Sequence, residues 1–169
     1  IHPTFLGTLG AALPQSLARS VKIKHAAILG CLSGMAPDID VFFQSPTDPL
    51  LFLEFHRQFT HALLFIPFGA LICAALFHRV VRKSLQFRET YLFCLLGYAT
   101  HGLLDACTTY GTQLFWPISN VRIAWNNVSV VDPLVTLPLL ALVLTSVWRR
   151  KPVFAQIGLA WVVCYLLIG

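Results

Sequence analysis

Charge is scarce in this chain. Of its 169 residues, 11% are charged and 57% hydrophobic, whereas a soluble domain carries roughly 25% charged residues. An ordinary water-soluble globule is therefore excluded, and a membrane composition remains. The five cysteines (Cys31, Cys73, Cys94, Cys107 and Cys164) stand singly, with an odd total and no C-x-x-C pair. That excludes a zinc ribbon or a disulfide framework and leaves them as small buried hydrophobes. The chain has no H-E-x-x-H, the helix-borne zinc signature of many proteases, no internal repeat and no low-complexity tract. No cleavable signal peptide stands out, because the N-terminal stretch is weakly apolar and lacks a basic start.

What is present is a series of apolar segments at approximately 5–18, 25–36, 61–78, 90–108, 131–148 and 153–168. A helix rises about 1.5 Å per residue and the hydrocarbon core is roughly 30 Å thick, so the last four are long enough, or nearly so, to span it. Segment 5–18 contains Pro14 and segment 25–36 is followed by Pro37, so these two read as half-spanning, tilted or interfacial helices. The expected fold is all-α: one integral membrane domain over residues 1–169, a polytopic helical bundle of about four full spans plus one or two shorter N-terminal helices.

The net charge of +5 would invite a nucleic-acid partner in a soluble protein, but its distribution points to topology instead. Arg19, Lys22 and Lys24 lie between the first two segments; Arg79, Arg82, Lys83 and Arg88 between the next pair; Arg149, Arg150 and Lys151 between the last. Ten of the twelve basic residues thus occupy alternate connections, which the positive-inside rule assigns to the cytoplasmic face. The opposite face receives residues 37–60 and 109–130.

Acids are few, seven in all, and Asp38, Asp40, Glu54, Asp105 and Asp132 sit on or next to that non-basic face. A carboxylate near the end of an apolar span costs about 2.5 kcal/mol or more to insert, so Asp105 needs a partner or a cavity. His101, four residues earlier, shares its helix face. The H-x-x-x-D pair can offer nitrogen and oxygen to a metal, or serve as a structural hydrogen-bonded pair. Asp38 and Asp40 follow Pro37 in P-D-I-D, which reads either as a helix stop with solvated turn residues or as two carboxylates converging on a cation. In H-R-Q-F-T-H, His56 and His61 are roughly 140° apart on an ideal helix, so His56 is expected before the third helix and His61 in its first turn. All three motifs reach one face under a topology derived from Lys and Arg alone, and that coincidence favours a metal centre.

The candidate ligands are Asp38, Asp40, His56, His61, His101 and Asp105. Six exceed one tetrahedral zinc site, so either two ions bind or some of the six orient ligands or act as general base. Mixed His/Asp ligation suits zinc, with manganese or iron as alternatives. His25 and His78 lie beside the basic connections and are excluded; His25 is thirteen residues before Asp38, roughly 20 Å if helical. The hydroxyl- and aromatic-rich stretch 108–119 reads as a pocket wall or lid, with Trp116 and Trp125 as interfacial anchors. Arg122 suits a phosphate or carboxylate clamp, or a headgroup contact, and Asp132 before Pro133 suits a helix cap.

Together the motifs resemble the bacterial inner-membrane family of metal-dependent hydrolases that includes a LexA-regulated, SOS-controlled member. The resemblance rests on P-D-I-D at 37–40, H-R-Q-F-T-H at 56–61, H-G-L-L-D at 101–105 continuing to Ser119, and V-D-P at 131–133. Gln58 and Ala62 depart from the family's H-R-G-F-T-H-S, and the N-terminal D-P-x-T-Q appears as His2-Pro3-Thr4-Phe5-Leu6. The resemblance implies a multi-pass protein of the bacterial inner membrane and a hydrolytic role. A site at membrane depth near the non-cytoplasmic face would act on a phosphoester or ester of an amphiphilic or lipid-linked substrate, with Asp38, Asp40, Asp105 and Arg122 as catalytic candidates. Membrane lipids, not nucleic acid, are the expected partners. The competing readings are a metal or proton transporter, whose ionisable path should continue across the membrane, and a non-enzymatic protein with a structural metal.

Overall fold

The computed structural model describes residues 3–42, 58–129 and 132–168, with residues 40–42 described in the backbone alone. Six α-helices carry these residues: α1 Pro3–Leu17, α2 Ile23–Met35, α3 Ile66–Val81, α4 Phe87–Ala106, α5 Pro133–Arg149 and α6 Val153–Ile168. Among the described residues there is no strand, only a single antiparallel bridge between Thr112 and Ile123. The helices run from 13 to 20 residues, and no helix among the described residues is long and apolar enough to cross a membrane. The most apolar of the six, α6, has 16 residues, about 24 Å at 1.5 Å per residue.

Each boundary has a local cause. Gln86 and Glu89 form a capping box at the start of α4, with Gln86 N donating to Glu89 Oε2 at 3.2 Å, so exposed N–H groups are satisfied. Asp132 caps α5 by accepting from Leu134 N at 3.1 Å, and Pro133 follows where its missing N–H costs nothing. The third helix differs from the sequence expectation, because it begins at Ile66 and leaves His61 outside, in the 3-10 turn Phe59–His61. A helix starting at His61 would place Pro67 in its interior, where the ring clashes with the Leu63 carbonyl and no N–H is available.

Two apolar cores meet on α4. Phe5, Leu6 and Leu9 of α1 pack with Leu104 of α4, Val135, Leu139 and Val143 of α5 and Val162 of α6. Ile23, Ala26 and Leu29 of α2 pack with Ile66, Ala70 and Cys73 of α3 and Phe93, Cys94 and Tyr98 of α4. Helices α1, α2 and α4 can approach closely because glycines face each other. A Cβ at Gly10 would lie 2.6 Å from the Gly30 carbonyl oxygen, and one at Gly97 would overlap that same oxygen and stand 2.5 Å from Ser33 Oγ. Small residues at helix contacts are how membrane bundles gain packing without a hydrophobic driving force.

Candidate metal centre

Three chain segments deliver four side chains to one point. The first is the end of α2, where the backbone tightens into a 3-10 helix over Ala36–Phe42 and turns Asp38 back towards α4. Its Oδ1 lies 3.2 Å from His101 Nε2 and 3.9 Å from His61 Nε2. The second is the 3-10 turn holding His61, whose Nδ1 is 2.8 Å from Thr60 Oγ1. Tyr98 of α4 donates its hydroxyl to the Thr60 carbonyl at 2.9 Å, and Leu63 N donates to the Leu114 carbonyl at 2.9 Å, so the turn is held on both sides. The third is α4, whose i, i+4 spacing stacks His101 and Asp105 on one face. Asp105 Oδ2 lies 3.2 Å from His61 Nε2 and 3.5 Å from His101 Nε2. The two imidazole centroids are 4.6 Å apart, with the rings inclined at 70°.

For His101 the second ring nitrogen fixes where a proton sits. His101 Nδ1 lies 2.5 Å from the Gly34 carbonyl oxygen, which can only accept, so Nδ1 carries a proton and Nε2 is the nitrogen turned to the two carboxylates. A carbonyl behind a ligating histidine fixes ring orientation and tautomer in metal sites. Glycine enters once more at Gly102, where a Cβ would stand 2.5 Å from the His61 carbonyl oxygen; the absent side chain lets the His61 turn rest on α4.

His61, His101 and Asp105 are fully buried, whereas the Asp38 side chain keeps 35% of its surface. The cluster thus has a closed floor and one solvent-facing carboxylate. Burial pushes the Asp38 carboxyl up, but hydrogen bonding and charge from His101, helped by His61, outweigh this and the opposing Asp105, and hold it below the usual carboxylate range.

Asp38, His61 and His101 can hold a metal ion, since one ligand atom from each lies within 4.8 Å of the other two. The donor chemistry fits a divalent ion: two imidazole nitrogens with a carboxylate oxygen make a three-ligand set that leaves a coordination position open, and Asp105 Oδ2 stands beside both imidazoles.

Of the six ligands expected from sequence, Asp38, His61, His101 and Asp105 are brought together; His56 and the side chain of Asp40 lie outside the described residues. Arg122 is placed with its guanidinium over the Tyr110 ring, 5.1 Å from the centroid. The stretch after α4 packs as a wall: the Thr108 hydroxyl donates to the Asp105 carbonyl at 2.7 Å, Leu114 holds the backbone of Leu63, and Trp116 lies 6.4 Å from Phe59. Gly34 and Tyr98 fall outside the motifs, and Thr60 and Gly102 stand within H-R-Q-F-T-H and H-G-L-L-D with no role assigned to them there. Their one visible signal is the small-residue spacing Gly30–Gly34 and Gly97–Gly102, since hydrogen bonds through backbone carbonyls leave no residue signature. His78 bonds Thr90, 3.1 Å from Nδ1 to Oγ1, at the opposite end of α4.

A family model described as YdjM inner membrane protein matches residues 3–169. Inner membrane protein YbcI of Escherichia coli (strain K12) is 27% identical over 173 residues, covering 99% of this chain and 95% of that protein. YfhP of Bacillus subtilis (strain 168) is 27% identical over 139 residues, 82% of this chain, and the match spans only 41% of YfhP. No solved structure matches.

Proposed function

The chain belongs to the YdjM inner membrane protein family, located in the bacterial inner membrane, and from this premise we propose that it is a membrane-embedded, metal-dependent hydrolase. Its substrate is an amphiphile carrying a phosphoester or ester, cleaved by water. The observation that carries the reading is the convergence of both imidazole Nε2 atoms on Asp38 and Asp105, with His101 Nδ1 held on the Gly34 carbonyl. Asp38, His61 and His101 hold the ion, with Asp105 behind them; Asp40 and His56 are candidates for a second ion or for supporting roles.

A bound divalent ion, zinc before manganese or iron, supplies Lewis acidity and brings the pKa of water towards neutrality. The residues supply the rest. A carboxylate of the set that does not ligate the ion, Asp105 or Asp40, accepts the proton of the attacking water. The water oxygen bonds to phosphorus or to the acyl carbon, the bond to the leaving oxygen breaks, and the proton passes to that oxygen, giving an acid and an alcohol. Asp105, buried beneath, fixes both imidazoles. Arg122 neutralises an anionic group of the substrate.

One integral membrane domain over residues 1–169, crossing the bilayer several times with the site near the non-cytoplasmic face, agrees with where charge lies. A cleft lined by Lys22, His78, Arg82, Lys83 and Glu89 sits at the start of α4, and Glu89 and Asp105 are about 24 Å apart along the helix axis. Exposed apolar side chains such as Leu76, Leu137 and Leu167 form the surface a lipid phase would cover. A transporter path is disfavoured, because α5 and α6 contain no Asp, Glu, His or Lys.

The test is metal content of purified protein beside turnover of lipid phosphates and esters. His101→Ala and Asp105→Ala are expected to lose both; unchanged zinc stoichiometry in the two variants would sink the reading.

A further inference from the structure

We propose that the groove between α2, α3 and α4 is the seat of the substrate's apolar tail, so that the substrate is an acyl-chain phosphoester lipid lying along α3 with its headgroup at the His/Asp cluster. The proposal rests on the hydrolase reading above.

The groove encloses about 520 Å³ and its wall is almost wholly apolar, including Leu32 of α2, Ile72, Leu76 and Phe77 of α3, and Tyr98 of α4. Its residues on α3 run from Gly69 to Phe77 at helical spacing, continuing the line of Phe65, and Phe65 to Phe77 covers about 18 Å. Gly69 keeps the floor low: a Cβ there would strike the Tyr98 ring. Large aliphatic side chains are left open along it, with Ile72 56% and Leu76 63% exposed. Such a surface calls for an apolar partner.

The polar end of the groove identifies that partner. Ala36 and Ile39, which bracket Pro37 and Asp38, line it together with Thr60, and Thr60 bonds His61 Nδ1. The groove therefore ends on the chain neighbours of Asp38 and His61 and not on the four cluster side chains themselves, which places a headgroup next to the cluster when the tail lies in the groove. A second apolar groove of about 510 Å³, between α1, α2 and α5, is bounded by Pro3 and Thr4 instead and has none of Ala36, Ile39 or Thr60 in its wall. It provides an internal control of similar size and polarity. A tail so placed points away from the acid-rich end and towards His78 and Arg79, which confines the scissile bond to one depth in the bilayer.

The probe is a phosphatidic acid with a diazirine near its acyl terminus, doped into phosphatidylcholine nanodiscs holding the full chain loaded with zinc. After photolysis, adducts are mapped by mass spectrometry and zinc is counted in the same samples. Adducts are expected to concentrate on Ile72, Leu76 and Phe77, which line this groove and not the control, whereas Leu32 lines both. Leu76→Trp should lower that labelling by about tenfold, the loss expected when roughly two methylenes lose apolar cover, with zinc stoichiometry unchanged. Leu144→Trp, in the control groove, should leave it unaltered. Adducts spread evenly over outward residues such as Leu137 and Leu167, or labelling indifferent to Leu76→Trp, overturn the proposal. Zinc content keeps the two failures apart: even labelling with zinc retained rejects the groove alone, whereas groove labelling without zinc rejects the metal centre and leaves the tail site standing.

Discussion

The two ends of α4 handle charge in opposite ways. At its start, Lys22 and Glu89 pair with about a third of each side chain exposed, and the Lys22 ammonium, with the Gln86 backbone N–H, holds the Glu89 carboxyl below its ordinary range. At its end, His101 and Asp105 are wholly buried beside His61. Water solvates the first pair at no cost, so its contribution to folding is small. The second set has no such support, and buried ionisable groups persist where partners are tightly arranged and a function needs them. The contrast marks the acid-rich end as the one that holds the candidate metal cluster.

Asp105→Ala attacks the contrast most directly. It strips one partner from a buried cluster and is expected to cost about 3–5 kcal/mol in unfolding experiments in detergent, together with loss of bound zinc. A stability change as small as that of an exposed charge would erase the distinction between the ends. Thr60→Ala sharpens it, because the hydroxyl lies 2.8 Å from His61 Nδ1, the nitrogen turned away from the cluster. Zinc affinity is expected to fall about 10–100-fold, the usual effect of losing a partner behind a ligand, as read by competition with a chromogenic chelator. Asp132→Ala, which removes the cap and the hydrogen bond from the Tyr165 hydroxyl on α6, should cost about 1–2 kcal/mol and leave zinc affinity unaltered. Lys22→Ala stands last, at under about 1 kcal/mol and diminishing as salt is added.

The legibility of these features differs for physical reasons. Helical periodicity and hydrophobic runs mark elements, so segment 153–168 coincides with α6, and the four-residue step from His101 to Asp105 places both on one face. Where the chain leaves the helix, the pattern is silent. His61 looks like a first-turn residue until Pro67 is weighed, and Pro67 delays the helix to Ile66. Asp38 reaches His101 only because the chain coils into a 3-10 helix past Pro37, a conformation that P-D-I-D shares with ordinary turns. The Gly34 carbonyl and the groove beside Tyr98 depend on how closely three helices approach, which glycine permits and residue type alone does not announce.

The bond from His101 to Gly34 has a consequence for how relatives are judged. Gly34 lies in the last turn of α2, where the chain passes into the 3-10 helix Ala36–Phe42 and Pro37 has no N–H to offer the Gly34 carbonyl, so the histidine ring serves that junction as well as aiming a nitrogen at the cluster. Folding alone is thus a reason to keep a histidine at position 101. A relative without the proposed metal centre would retain it as an architectural residue, and the positions that test for the centre are 38 and 105. A chain with the histidine but neither carboxylate would keep the shell without the metal centre.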